Sequence, residues 1–144
     1  MDWKDSLHTP EPVLDYARYR AYFGSVPHDP QLLKGVLSML LLRLLAERES
    51  YGYELVGRLR DLGLDGIAEG TVYPALGRLE REGRVGARLI ASRSGPARKY
   101  YRPTPAGYRA LTEGVEAWRD LAGAVQTALA HPVPAQPAPP SEEA

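Results

Sequence analysis

The chain has 144 residues, with 18 basic and 18 acidic side chains and no cysteine. This length is enough for one domain with a proper core plus tails, and the lack of cysteine excludes disulfides, thiolate metal sites and cysteine nucleophiles. Because the start lacks an apolar signal-peptide core and the apolar run 36–46 is too short to span a bilayer, we expect a cytoplasmic protein without a membrane segment.

An N-terminal arm, residues 1–28, precedes the main predicted domain. It starts loosely, with two early prolines, and then predicts a short helix in which Tyr16, Tyr19 and Phe23 share one face. Aromatic side chains at helical spacing are usually buried, so we interpret this face as a surface that packs on the rest of the chain.

Two helices are predicted next. Asp29 and Pro30 form an N-cap signal for a helix that continues to about Arg48, and this helix is apolar nearly all round. Such a helix has to be covered on more than one side, which suggests a partner subunit. Ser50 is then expected to cap a second, short helix over residues 51–62.

The segment 70–83 predicts a third helix with two different faces. Val72, Leu76 and Leu79 fall on one side, at i, i+4 and i+7. The opposite side carries Thr71, Pro74, Arg78 and Arg81. Pro74 is expected in the first turn, where its missing N–H does no harm. Guanidinium groups can bind guanine edges or phosphates, so this side suits a DNA groove, although solvated arginines on a surface helix give the same pattern.

The three predicted helices have the order of a helix-turn-helix motif, in which the third helix is the recognition helix. A basic hairpin follows them. After Gly83 the pattern has period two, and two short strands flank the turn 92–96. A hairpin in this place is a wing, whose tip can contact phosphates or the minor groove. The segment 70–109 contains nine basic and two acidic residues, a net charge of +7, and this cluster favours nucleic acid over a merely solvated surface.

A long C-terminal helix is predicted to start at Thr104 and Pro105, which repeat the cap signal. Its apolar residues follow an a/d heptad spacing: Tyr108, Leu111, Val115, Trp118, Ala122, Val125 and Leu129. Sustained heptads beyond a complete domain favour a dimerisation helix, although a helix lying on its own domain also has a narrow apolar stripe. Trp118 and Tyr108 could stack a planar aromatic ligand, but plain interface packing is the simpler interpretation.

The sequence contains no catalytic or metal-binding pattern. The three histidines, His8, His28 and His131, are far apart and lack ligand spacing. No Gly-rich phosphate loop follows a strand, there is no nucleophile elbow, and Glu80 and Glu82 would point to different faces of a helix. We therefore expect a protein that is not an enzyme and needs neither a metal nor a cofactor.

Several motifs occur in a fixed order and together resemble one family. They are Tyr51-Gly52-Tyr53-Glu54-Leu55, Gly70-Thr71-Val72-Tyr73-Pro74-Ala75-Leu76, Gly95-Pro96-Ala97-Arg98-Lys99-Tyr100-Tyr101 and Thr104-Pro105-Ala106-Gly107. Over residues 32–111 the chain resembles the PadR family of bacterial transcription regulators. The resemblance implies a dimeric winged helix-turn-helix repressor with one long C-terminal dimerisation helix, often released from its operator by a small molecule.

The resemblance also implies which residues meet DNA. On the recognition helix and the wing they are Thr71, Tyr73, Pro74, Arg78, Arg98 and Lys99. Tyr51 would lie on the preceding helix, close to the DNA backbone. The chain has Ala68 where the family often has Ser or Thr, and Ala is a poor N-cap, so the cap is expected to shift to Gly70 or Thr71.

The sequence thus predicts a mainly α fold with a small β-hairpin, in which a winged helix-turn-helix precedes a long dimerisation helix. The predicted divisions are an arm (1–28), a DNA-binding domain (29–103), a dimerisation helix (104–130) and a disordered Pro-rich tail (131–144). The predicted partners are double-stranded DNA, a second copy of the chain and a possible small aromatic effector. The dimer contacts are expected at Tyr108, Leu111, Val115, Trp118 and Val125. The main alternative is a winged-helix module that binds protein and not DNA.

Overall fold

The computed structural model of the chain describes residues 29–64 and 66–135. These residues are mainly helical with a small three-stranded antiparallel sheet, which confirms the predicted fold class. In chain order the elements are α1 (Pro30–Glu47), β1 (Ser50–Tyr51), α2 (Gly52–Asp61), α3 (Glu69–Arg81), β2 (Val85–Ser92), β3 (Gly95–Pro103) and α4 (Pro105–Ala130). The predicted helix of the N-terminal arm, and the predicted tail from residue 136 onwards, lie outside the described residues.

Helix α1 lies at the centre of the domain and begins where the sequence predicts. Asp29 Oδ1 accepts a hydrogen bond from the backbone N–H of Gln31 at 2.8 Å, so the predicted N-cap is confirmed. The helix packs against α4, α3 and β3. Its buried side chains are Leu37, Leu41, Leu42, Leu44 and Leu45. Leu32 is 75% exposed, so residues 29–64 and 66–135 leave part of the apolar surface of α1 uncovered.

The hydrophobic core joins α1 to α2, α3 and the sheet. Beyond α1 it contains Leu55, Val56, Leu59, Ile67, Val72, Ala75, Leu76, Leu79, Val85 and Tyr101. Burial of a leucine side chain contributes about 1.5–3 kcal/mol, so this cluster fixes α2 and α3 relative to each other. Gly63 has a φ of 92° at the end of α2, a left-handed conformation that favours glycine and turns the chain towards α3.

Strand β1 was not predicted, and the expected role of Ser50 as an N-cap is wrong. Ser50 and Tyr51 pair antiparallel with β3, and α2 begins only at Gly52, without a side-chain cap. Ser50 is fully buried, and its hydroxyl oxygen accepts a hydrogen bond from Arg58 Nη1 at 2.9 Å. A two-residue strand is too short to show period-two alternation, so the sequence pattern could not reveal it.

The start of α3 also differs from the expectation. The N-cap is Ala68, which makes no side-chain hydrogen bond, and the helix begins at Glu69, so the expected shift of the cap to Gly70 or Thr71 is wrong. Pro74 is the sixth residue of α3 and lies in the second turn, not in the first. Because proline has no N–H, the carbonyl of Gly70 loses its i+4 donor within the helix. Gly70 is exposed, so that carbonyl can be hydrated.

The predicted hairpin is present and forms the wing, which is the name used here for β2 and β3 together. The two strands pair antiparallel from Val85 opposite Pro103 to Ser92 opposite Gly95, with an irregularity between Ile90 and Ser92. Strand β3 is central, because β1 pairs with its other edge. The short β1 thereby fastens the wing to the start of α2.

Helix α4 starts in close contact with the beginning of the wing. The predicted N-cap at Thr104 is confirmed, since its Oγ1 accepts from the N–H of Gly107 at 3.1 Å. The same hydroxyl donates to the carbonyl of Gly83 at 2.6 Å, and the Thr104 N–H donates to the carbonyl of Arg84 at 3.0 Å. Gly107 is buried against the Arg84 backbone, so a side chain would not fit there.

Candidate nucleic-acid interface

Helix α3 has the two faces that its sequence predicts. Val72, Leu76 and Leu79 are almost completely buried in the core. The outward side carries the exposed residues Thr71, Tyr73, Pro74, Arg78 and Arg81. The same helix therefore holds its position through apolar burial and presents a hydroxyl, a phenol and two guanidiniums to the outside.

Tyr73 stands at the boundary between α3 and the wing. Its side chain is 45% exposed, and its ring lies directly against the backbone of Gly52, the first residue of α2. With Tyr51, Arg98 and Lys99 it lines an open cleft of about 520 Å³. The structure thus brings four of the predicted DNA-contacting residues together in one cleft, whereas Arg78 lies further along the exposed side of α3.

Tyr51 lies in strand β1 and not on the second helix, so its predicted location is wrong, although it does lie beside the wing. Its ring centroid is 5.2 Å from that of Tyr100. The guanidinium carbon of Arg98 is 4.7 Å from the Tyr51 centroid, which is a cation–π distance. Arg98 is therefore positioned by an aromatic face that leaves its N–H groups at the exposed edge.

Lys99 forms an ion pair with the recognition helix. Its Nζ lies 2.8 Å from Glu80 Oε2, and the hydrogen bond to Glu80 raises the pKa of Lys99. Both side chains are partly exposed, so the pair adds little to stability. Its effect is geometric, because it ties β3 to α3. No local sequence pattern indicated Glu80 as a partner of Lys99, since the two residues are 19 positions apart.

A second missed contact holds the outer strand of the wing. Arg88 on β2 donates two hydrogen bonds to the carboxylate of Glu49, at 2.6 and 2.7 Å. These bonds lower the pKa of Glu49. Within residues 66–135, Arg78 and Arg81 have no carboxylate at ion-pair distance, so they are the guanidiniums of α3 that remain available to an anionic partner.

The predicted dimer residues of α4 divide into two groups. Leu111 packs against the core of its own chain and Val115 is half-buried. These two residues fit the alternative interpretation of the heptad pattern, in which the helix lies on its own domain. Trp118 and Val125 are 48% and 47% exposed, and Leu129 is 78% exposed. Tyr108 is exposed as well, but it lies ten residues before Trp118, about 15 Å along the helix, so the two rings are not neighbours.

Trp118 lines an open apolar groove between α1 and α4. The groove measures about 720 Å³, and its other apolar walls include Leu32, Val36, Met39 and Leu121. Tyr108 does not line it. Along the described ranges 29–64 and 66–135, no group of three or more metal-ligating side chains could hold a metal ion, and no helix is long and apolar enough to cross a membrane.

The chain is similar to known proteins in both sequence and structure. A family model described as the transcriptional regulator PadR-like family matches residues 41–113. A transcriptional regulator of Mycobacterium tuberculosis is 35% identical over 102 residues, which are 68% of this chain and 90% of that protein. A PadR-like transcriptional regulator from Bacillus cereus has 37% identity and a TM-score of 0.64, over 71% of this chain and 99% of that one. Bacillus subtilis PadR, solved in complex with operator DNA, has 27% identity and a TM-score of 0.52, over 56% of this chain and 45% of that one.

Proposed function

The chain belongs to the PadR-like family of transcriptional regulators, and from this premise we propose that it represses transcription by binding a near-palindromic operator as a homodimer. The observation that carries the proposal is the outward side of α3, where Arg78 and Arg81 stand exposed beside the basic wing. The operator complex of Bacillus subtilis PadR supports duplex DNA as the partner.

The proposed contacts assign different tasks to α3 and to the wing. Arg78 would fork onto a guanine edge in the major groove, and Thr71 and Tyr73 would contact the strand beside it. Pro74 would pack its exposed apolar ring against the sugar-phosphate backbone. Arg98, held over Tyr51, would bind a phosphate. Lys99 would add positive charge near the backbone, although Glu80 already pairs with it.

The homodimer rests on the groove between α1 and α4. The described part of one chain leaves four apolar side chains exposed along α4, namely Trp118, Leu121, Val125 and Leu129, and it leaves Leu32 exposed on α1. We propose that α4 of a second copy lies in this groove, which would cover both sets of side chains by one two-fold contact. The paired recognition helices would then enter successive major grooves, about one helical turn apart.

A small planar aromatic effector is the remaining part of the proposal. Trp118 offers an indole face inside an apolar groove of about 720 Å³, which is a suitable volume for a drug-sized molecule. An effector stacked on Trp118 would share this groove with α4 of the second copy, and release of DNA would follow if it changed the angle between the two subunits.

The alternative is a winged-helix module that binds another protein. The net charge of +7 over residues 70–109 argues against it, because a protein-binding module has no need to keep Arg78, the wing tip and Lys99 basic together. Retention on heparin, compared between the wild type and a variant without the wing charges, would distinguish the two functions.

DNA binding is tested by selecting duplexes from a random pool and measuring affinity for the selected duplex over a salt series. Counterion release predicts that log K falls with log salt by about 0.9 for each phosphate contacted. Arg78→Ala should weaken binding to the selected duplex by about 1–3 kcal/mol and lose preference over random DNA. Arg43→Ala, which removes an exposed guanidinium on α1, is the charge-matched control. A flat salt dependence would contradict the proposal.

The dimer is tested by sedimentation velocity at low micromolar concentration. Trp118→Ala should shift the protein towards monomer, because the proposed contact would bury Trp118 in both subunits and truncation of a buried tryptophan typically costs about 3–5 kcal/mol. Operator affinity should fall in parallel. A variant that ends at Ala130 should remain dimeric. If Trp118→Ala also stays fully dimeric, the groove between α1 and α4 is not the interface.

A further inference from the structure

We propose that Gly52 is a positioning residue for DNA recognition, because its bare backbone fixes the ring of Tyr73 at the mouth of the cleft between α3 and the wing. The inference rests on the proposed DNA-binding function and goes beyond it, since Gly52 itself need not touch DNA. It concerns the contact between the first residue of α2 and the outward side of α3.

The first observation is steric. A Cβ atom on Gly52 would lie 2.7 Å from Tyr73 Cζ and 3.1 Å from Tyr73 Cδ1, and would also collide with Cε1 of the same ring. Real Cβ atoms essentially never come within 3.0 Å of another heavy atom, so any other residue here has to displace the ring. The Cδ1–Cε1–Cζ side of the ring therefore occupies the space that a Cβ at position 52 would need.

The second observation concerns the backbone of Gly52. Within the described residues, the only glycines with positive φ are Gly63 and Gly83. Gly52 begins an ordinary α-helix, so its backbone conformation is open to any residue. Gly57 in the same helix has nothing within 4 Å of its Cβ position. The requirement for glycine at position 52 is thus spatial, and the group that imposes it is Tyr73.

The third observation is the surroundings of the ring. Tyr73 is 45% exposed and shares its cleft with Tyr51, Arg98 and Lys99. The side of the ring formed by Cδ1, Cε1 and Cζ lies against Gly52, and the exposed remainder of the side chain is accessible to a partner. A side chain whose rotamers are restricted by such a contact loses less conformational entropy when it binds. Gly52 therefore prepares Tyr73 for contact with the strand that the proposed function places there.

Binding of the selected duplex by four variants tests the positioning role. Gly52→Ala should weaken binding about three- to tenfold, the range expected for releasing one ordered side chain. The same substitution made in a Tyr73→Ala background should have no further effect, because the ring it displaces is absent. Gly57→Ala is the control in the same helix and should bind like the wild type.

A measurement on the protein without DNA tests the contact between Gly52 and Tyr73 separately from DNA binding. In protein labelled with 3-fluorotyrosine, the ¹⁹F resonance of Tyr73, assigned by its loss in Tyr73→Phe, should move in Gly52→Ala and stay in place in Gly57→Ala. Circular dichroism should show that all variants are folded, since alanine favours a helix more than glycine does.

The outcomes distinguish the two proposals. If the wild type selects no duplex, the proposed function is wrong, whatever the ¹⁹F spectra show. If the wild type binds but Gly52→Ala weakens binding by the same factor with and without the Tyr73 ring, the positioning role is wrong and DNA binding stands. An unmoved Tyr73 resonance in Gly52→Ala would overturn the packing contact itself.

Discussion

The contact between α4 and the wing gives a sharp stability prediction, namely that Gly107→Ala destabilises the fold. A Cβ atom on Gly107 would lie 3.0 Å from the carbonyl carbon of Arg84 and collide with its oxygen, and it would be 3.4 Å from Leu42 Cδ2. The obstacle is backbone, so it cannot rotate away as a side chain would. Either the start of α4 or the Gly83–Arg84 turn has to move, and the hydrogen bonds from Thr104 cross this same junction.

The magnitude follows from two opposing effects. Overpacking a well-packed site costs about 1–3 kcal/mol, and a rigid backbone contact belongs at the upper end of that range. Alanine in place of glycine in a helix contributes about 1 kcal/mol in the favourable direction. The expected net loss is therefore about 2 kcal/mol of unfolding free energy. Gly57→Ala gains the same helix propensity, and its Cβ atom would meet no other atom within 4 Å. The unfolding free energies of the two variants should therefore differ by about 3 kcal/mol.

Equilibrium urea unfolding followed by far-UV circular dichroism measures this difference. All variants should be compared at one protein concentration, because association of subunits would shift the apparent stability. The slope of the transition should stay unchanged, since the surface exposed on unfolding is nearly the same. If Gly107→Ala is as stable as Gly57→Ala, the close approach of α4 to the Arg84 backbone does not exist in solution, and the reasoning about this junction is refuted.

Three further predictions concern the interface region. Ala68→Ser should stabilise the protein by about 1 kcal/mol in thermal unfolding, because it supplies the missing N-cap of α3. NMR titration should find the pKa of Glu49 below its ordinary value in the wild type and close to ordinary in Arg88→Gln. The stabilising contribution of Glu49 is present above its unfolded pKa and is lost as the pH falls through the lower pKa of the folded state. In this pH range the free energy of unfolding of Arg88→Gln should therefore depend less on pH than that of the wild type. Glu80→Gln frees Lys99 from its ion pair and removes a negative charge, so binding to random duplexes should tighten and the salt slope should steepen by about 0.9; an unchanged slope would show that Lys99 does not reach a phosphate.

The sequence predicted those features that depend on local pattern. The caps at Asp29 and Thr104 were readable because each lies directly before a proline and an apolar periodic segment. The two faces of α3 followed from a spacing of 3.6 residues per turn, and the wing from period-two alternation around a Gly-Pro turn. These elements alone gave the order of a winged helix-turn-helix.

The sequence could not predict contacts between residues that are distant in the chain. The pairs formed by Lys99 with Glu80 and by Arg88 with Glu49 depend on how the wing folds back, which no local pattern encodes. Strand β1 exists only because β3 offers it an edge. Likewise, the heptad spacing of α4 could not show that Leu111 packs on its own chain while Trp118 does not, because both positions have the same periodicity.

The first turn of α3 has a dynamic consequence. Its cap makes no side-chain hydrogen bond, and Pro74 removes the donor that would close on the carbonyl of Gly70. Val72 anchors the end of this turn in the core, so the residues before Val72 should open with a lower free energy than the second half of α3, which Leu76 and Leu79 anchor. Amide hydrogens near Thr71 should exchange with solvent well before those around Leu79. The start of α3, ahead of the buried Val72, should thus open more often than the rest of the helix, and a bound partner would be recorded as slowed exchange at this turn.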